Sequence, residues 1–166
     1  MRARAYIARK SLTGIGCPIQ SAVLSWWRSR RGVAELNQPS YLEVVPHLQI
    51  AFDNAMPGPP NFFYVGEQSW TAKLLGENFT PARHAGEWWD DGGYANAISD
   101  VFPDVSASGE PTLEEIKAPI LPPEHWRSSS PIILHYDRLC LPSILGDGQR
   151  TFTVITTPKS MLQVVN

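Results

Sequence analysis

Pro131-IILHYDRLCLPSILGDGQRTFTVITT-Pro158 contains two segments rich in aliphatic and β-branched residues, Ile132–Leu141 and Thr151–Thr157, on either side of Gly146-Asp147-Gly148. Asp-Gly between two such runs predicts a β-hairpin, because these residues tolerate the positive φ of a tight turn. Pro142 and Ser143 are expected to mark a bend or bulge, since proline cannot donate to a sheet ladder. Alternation puts Ile133, Leu139 and Leu141 on one face of the first strand and Ile132, Leu134, Tyr136 and Cys140 on the other. Both faces are apolar, so both need a cover, and the hairpin belongs in a core.

Working outward, a chain of 166 residues with 43% hydrophobic and 18% charged residues has material for one domain with a real core, which excludes wholesale disorder. The net charge of -2 hides an asymmetry. Before Glu35 the chain has seven Arg or Lys and no acid; from Glu35 onward it has seven bases against sixteen acids. A basic arm on an acidic body can dock on that body, on another copy or on an anionic surface. Cys140 falls in the predicted core strand and reads as a small hydrophobe, and Cys17 precedes a helix. Nothing in their spacing argues for a secreted disulfide scaffold. Arg2, Arg4, Arg9 and Lys10 precede a weakly apolar stretch, but Gly14, Gly16, Pro18 and Gln20 interrupt it, so it makes a poor signal peptide. No apolar run approaches the roughly 20 residues of a membrane span. The chain reads as cytoplasmic.

In chain order, Met1–Gly16 is expected to be mobile. Pro18 suits the first turn of a helix, along which Ile19, Ala22, Val23, Trp26 and Trp27 form one apolar stripe. Arg28, Arg30 and Arg31 suit its C-terminal dipole, and Gly32 ends it. The stripe must cover apolar surface, either the chain's own sheet or a second copy; Val23, Trp26 and Trp27 are the interface candidates for a homodimer. Ser40 and Glu43 form a capping-box pattern before a short helical turn, Tyr41–Val45. His47–Asp53 and Asn61–Val65 read as strands around a proline-rich loop, and Glu67–Leu75 as helical. An irregular region, Glu77–Gly93, precedes a helical face of Tyr94, Ile98, Val101, Phe102 and Val105 that Pro103 ends or kinks. Leu113–Ile120 reads as a strand and Pro122–Ser130 as a loop.

Two strands, then helices, then three strands is an α+β pattern. This order resembles the PAS domain, whose five-stranded antiparallel sheet has helices between strands two and three. The details resemble the short, divergent PAS-like proteins frequent in alphaproteobacteria. Their Trp-rich helix running into a basic, glycine-containing segment is similar to Trp26-Trp27-Arg28-Ser29-Arg30-Arg31-Gly32. Pro39 to Val45-Pro46-His47-Leu48 is similar to their short helix and strand entry, and Phe63-Tyr64-Val65-Gly66 to their second strand. Tyr136-Asp137-Arg138-Leu139-Cys140-Leu141-Pro142 with Gly146-Asp147-Gly148 resembles the signature of their closing hairpin. The match runs from about Ser21 to Thr157, and the chain departs from it at Asn37-Gln38-Pro39-Ser40, where an arginine often follows the proline and serine. The organisation implied is a basic arm and amphipathic N-terminal helix over residues 1–38 and a PAS-like domain over 39–160. The function implied is a non-catalytic sensory or interaction module, binding an apolar small molecule between sheet and helices and signalling through a partner protein. Phe63, Trp70, Tyr94, Ile98, Tyr136 and Phe152 are the candidate ligand-binding residues. Some PAS proteins bind haem, for which His84 is the candidate ligand, but the residues name no cofactor.

Independent signs of chemistry are few. The chain has no Gly-x-Ser-x-Gly elbow, phosphate-binding loop, Cys-x-x-Cys or His-Glu-x-x-His. His47, His84, His125 and His135 lack metal-ligand spacing, and Asp90-Asp91 before Gly-Gly reads as a turn. The acidic body argues against nucleic acid. One alternative keeps an enzymatic or carrier role: His135 and Asp137, two apart on one strand face, as an acid–base pair in a small α+β cavity.

Overall fold

A computed structural model describes residues 5–54, 60–75, 94–120 and 132–163. The fold is α+β. Seven strands form one sheet: β1 (Tyr6–Lys10), β2 (Val33–Ala34), β3 (Gln49–Phe52), β4 (Phe62–Val65), β5 (Thr112–Ile120), β6 (Ile132–Leu145) and β7 (Arg150–Gln163). Their order is β1-β5-β6-β7-β3-β4, antiparallel throughout, with the two-residue β2 lying parallel to the end of β6. The closing hairpin β6–β7 occupies the centre, as its two apolar faces require. Among the described residues, five α-helices pack with the sheet: α1 (Pro18–Arg30), α2 (Pro39–Val44), α3 (Trp70–Leu75), α4 (Tyr94–Ser99) and α5 (Val101–Ser108).

The sheet has seven strands rather than the expected five, and the two extra ones come from the segment read as an arm. Tyr6–Lys10, expected to be mobile, pairs with β5, so α1 follows a strand instead of opening the fold. The physical reason lies in the partner. Arg9 stands opposite Glu114, Lys10 reaches the Asp137 carboxylate at 3.7 Å, and Arg9 pairs with Asp104 on α5. The acidic body thus captures part of the basic arm.

The hairpin turn closes with the Gly148 N–H donating to the Leu145 carbonyl at 2.8 Å, Gly148 adopting φ 87°. Pro142 does not break β6, which runs straight through to Leu145. β5 ends at Thr112, opposite Cys140, so the β6 edge turned away from β7 has no strand beside it at Pro142. Two residues later the Ile144 N–H on that same edge donates to Gly32 O at 2.9 Å, where β2 begins. The missing proline N–H therefore falls in the gap between two neighbours. The irregularity lies between His135 and Tyr136 instead, where Lys159 is the extra residue on β7.

Helix α1 starts at Pro18 and ends at Arg31 (φ 52°) and Gly32 (φ 74°), with the Gly32 N–H donating to Trp27 O at 3.0 Å. The Trp27 indole N–H donates to Pro142 O at 2.5 Å, fixing the helix end on β6. Val23, Leu24 and Trp26 are buried with Leu113, Leu139, Leu141 and Ile155 of the sheet and Tyr41 and Val44 of α2. Val23 and Trp26 are therefore core residues, which removes them as a dimer interface; Trp27 is half-buried and Ala22 is exposed. Gln20, buried in the same face, donates to the carbonyls of Asp137 and Ile155. The α2 start also differs from expectation: Gln38, not Ser40, occupies the N-cap position, with Pro39 in the first turn and no side-chain capping bond. Gln38 is held there by accepting from the Trp26 indole N–H at 3.3 Å.

Candidate functional site

Helices α3, α4 and α5 all pack on the sheet face opposite α1. Parity along β6 assigns Ile132, Leu134, Tyr136, Arg138 and Cys140 to that face, and Tyr136, not His135, looks toward the helices.

The α5 face has three zones. At one end Trp70 of α3 packs on Tyr136, ring centroids 5.1 Å apart, with Leu74, Ile98, Ile116, Ala118, Ile132 and Leu134 around them. At the other end Val101, Phe102 and Val105 of α5 cover Cys140, Phe152 and Val154, and Phe102 lies 5.0 Å from Phe152. Burial pushes the Cys140 thiol up to about 12, so it is a neutral apolar group there. Between the two ends lies a buried ion pair. Arg138 donates from Nε at 3.1 Å and from Nη2 at 2.6 Å to Oε2 of Glu114, both side chains being about 95% buried. Its guanidinium sits 5.5 Å from the centre of the Phe102 ring. Burial opposes its charge, but Tyr136 and the Glu114 carboxylate outweigh that and hold the guanidinium above its ordinary range.

Of the six candidate ligand-binding residues, Trp70, Ile98 and Tyr136 come together in the first zone. Phe152 belongs to the third, beyond Arg138. Phe63 joins neither. It is the extra residue of a bulge in β4, where Ile50 opposes Tyr64 and Ala51 opposes Phe62, and it stacks on Phe52 with 42% of its surface exposed. Tyr94 opens α4, and its side chain lies outside the described residues, as do His84, His125, Trp88, Trp89, Asp90 and Asp91. The Glu114–Arg138 pair escaped the sequence reading, although alternation itself marks it: Arg138 shares parity with Tyr136 and Cys140 in a strand whose both faces are apolar.

His135 and Asp137 face the α1 side, beyond the N-terminal end of that helix. His135 Nε2 lies 2.6 Å from Oε1 of Glu115, and Lys159 lies 3.5 Å from the same oxygen and 3.1 Å from Oδ1 of Asp137. The hydrogen bond with His135 pulls the Glu115 carboxyl below its ordinary value against the effect of burial, with Lys159 and Lys10 adding to it. The pair considered for acid–base work is thus part of a network of five ionisable side chains, with Glu115, Lys159 and Lys10, rather than the wall of the α5-face cluster. Among the described residues, no three His, Cys, Asp or Glu side chains gather as a metal site, both cysteines are free, and no helix is long and apolar enough to cross a membrane.

No family model, curated protein or solved structure matches this chain.

Proposed function

We propose that the chain is a PAS-like sensory module, non-catalytic, that binds a flat hydrophobic small molecule on the α5 face and signals through a partner protein. The observation that carries this reading is the placement of α3, α4 and α5. They are inserted between the second and third of the five strands β3 to β7, and all cover one face beside the central hairpin. This is the arrangement that the hairpin signature and the resemblance to PAS domains imply. Trp70, Ile98 and Tyr136 supply an apolar, partly aromatic wall with one phenol, the kind of lining that suits a flat apolar molecule better than a charged metabolite.

The test is direct. Native mass spectrometry and an ultraviolet–visible spectrum of the purified protein should reveal a bound apolar molecule. Ile98→Trp should abolish that binding with little loss of stability. Overpacking of a filled core would instead cost about 1–3 kcal/mol. That loss, together with no ligand in any preparation, would reduce the α5 face to packing.

A further inference from the structure

On its solvent side α1 borders an open groove of about 610 Å³ against the turn formed by Leu12–Gly14. Its apolar floor comes from Leu12, Ile15 and Leu24; Ser25 and Ser29 line the helix side, and Arg28 closes one end. No carboxylate lines it. Both walls come from the part of the chain before Glu35, which carries seven bases and no acid. Arg9 and Lys10 of that segment are neutralised by Asp104 and Asp137. Arg28, Arg30 and Arg31 are exposed and form no ion pair among the described residues.

We infer that this groove docks an acidic amphipathic helix of a partner protein. Charge complementarity selects the occupant: an apolar floor with Arg28 at its end, Arg30 and Arg31 exposed nearby in sequence and no acid in the lining fits a segment with apolar anchors on one face and carboxylates beside them. Length fits as well. The α1 wall from residue 21 to residue 29 rises about 12 Å, roughly two turns, so it faces anchors spaced i and i+4 or i and i+7. Ser21, Ser25 and Ser29, small side chains four residues apart, let the incoming backbone approach α1 closely. The inference rests on the proposed module only for its need of an output partner, and it uses the face opposite the ligand wall.

The experiment selects binders from a displayed library of random peptides of about 16 residues against the full chain, then measures the enriched peptides by fluorescence anisotropy. Two variants are compared. Ser25→Trp fills the groove without changing charge, and Arg28→Glu reverses the charge at its end; both positions bear on the groove, and melting curves check the fold. Enriched peptides should be net acidic with apolar residues at helical spacing, and each variant should weaken them about tenfold or more. Raising salt from about 50 to 500 mM should weaken them further. Neutral or basic winners, no winners, or winners indifferent to Ser25→Trp would overturn the proposal. So would selective binding to phosphatidylserine vesicles, lost on Arg28→Glu, with no peptide enriched, since that would make the surface a membrane contact. Ile98→Trp should leave peptide binding unchanged, so loss of the ligand reading and loss of the groove are separable results.

Discussion

Removing Arg138 would leave the Glu114 carboxylate under α5 without the guanidinium bonded to it, and the two are too deeply buried for water to replace that partner. Arg138→Ala should therefore cost about 3–5 kcal/mol in urea denaturation, the range for a broken buried pair. The double variant Glu114→Leu, Arg138→Met removes both charges and should recover most of that loss. If the double variant is no better than the single, the pair contributes geometry rather than charge balance. The network on the opposite face behaves differently, because its members are partly exposed. The Glu115 carboxyl is depressed by His135, so its contribution is complete above the ordinary carboxylate pKa and is lost as pH falls through the lower folded value. Stability should decline from about pH 5 toward pH 3, and Glu115→Gln should flatten that decline by a few tenths of a kcal/mol, no more, given solvent screening. Chemical melts at several pH values would read it; identical slopes in both proteins would dismiss the linkage.

The hairpin and α1 were legible in the sequence because each declares itself locally, by β-branched runs around Asp-Gly and by an apolar stripe between proline and glycine. The strand β1 was not, because Tyr-Ile-Ala-Arg-Lys has no alternation of its own and owes its structure to the acidic residues of distant partners. The two-residue β2 is shorter than any periodicity can reveal. The same distinction governs the candidate site. Trp70, Ile98 and Tyr136 could be brought together from helix spacing and strand parity, whereas a one-residue bulge in the edge strand β4 leaves Phe63 stacked on Phe52 and outside both clusters. Pro142 misled for a related reason, since its tolerance depends on where β5 ends. At this scale Gly32 is the decisive joint. It holds φ 74°, and a Cβ there would lie 2.7 Å from both Pro142 O and the Trp27 indole nitrogen, the pair that anchors α1 to β6. Gly32→Ala should destabilise by about 1–3 kcal/mol, combining left-handed strain with a displaced anchor. Tryptophan fluorescence during the same unfolding experiment would report whether Trp27 leaves its site; an unchanged melt would mean the helix end yields at no cost.

For the molecule as a whole, the segment before Glu35 is bound into the architecture from three directions. β1 extends the sheet beyond β5, α1 covers the face opposite α5, and β2 takes over the edge of β6 that β5 leaves. The packing makes this segment part of the core that the sheet builds. Deleting residues 1–31 would uncover Leu113, Leu139, Leu141 and Ile155, all at most 3% exposed in the full chain. At about 1.5–3 kcal/mol for each buried aliphatic side chain, the four alone represent about 6–12 kcal/mol, comparable with the whole stability of a typical domain. The deletion would also leave β5 as an unpaired nine-residue edge, a template for pairing with other chains. The truncated protein should therefore be insoluble or elute as large aggregates in size-exclusion chromatography, without a cooperative thermal transition. A monodisperse fragment that melts near the temperature of the full chain would show that α1 is an accessory cover. In that case the α1 groove would belong to a detachable arm, whereas aggregation ties the docking groove and the α5 face to one sheet.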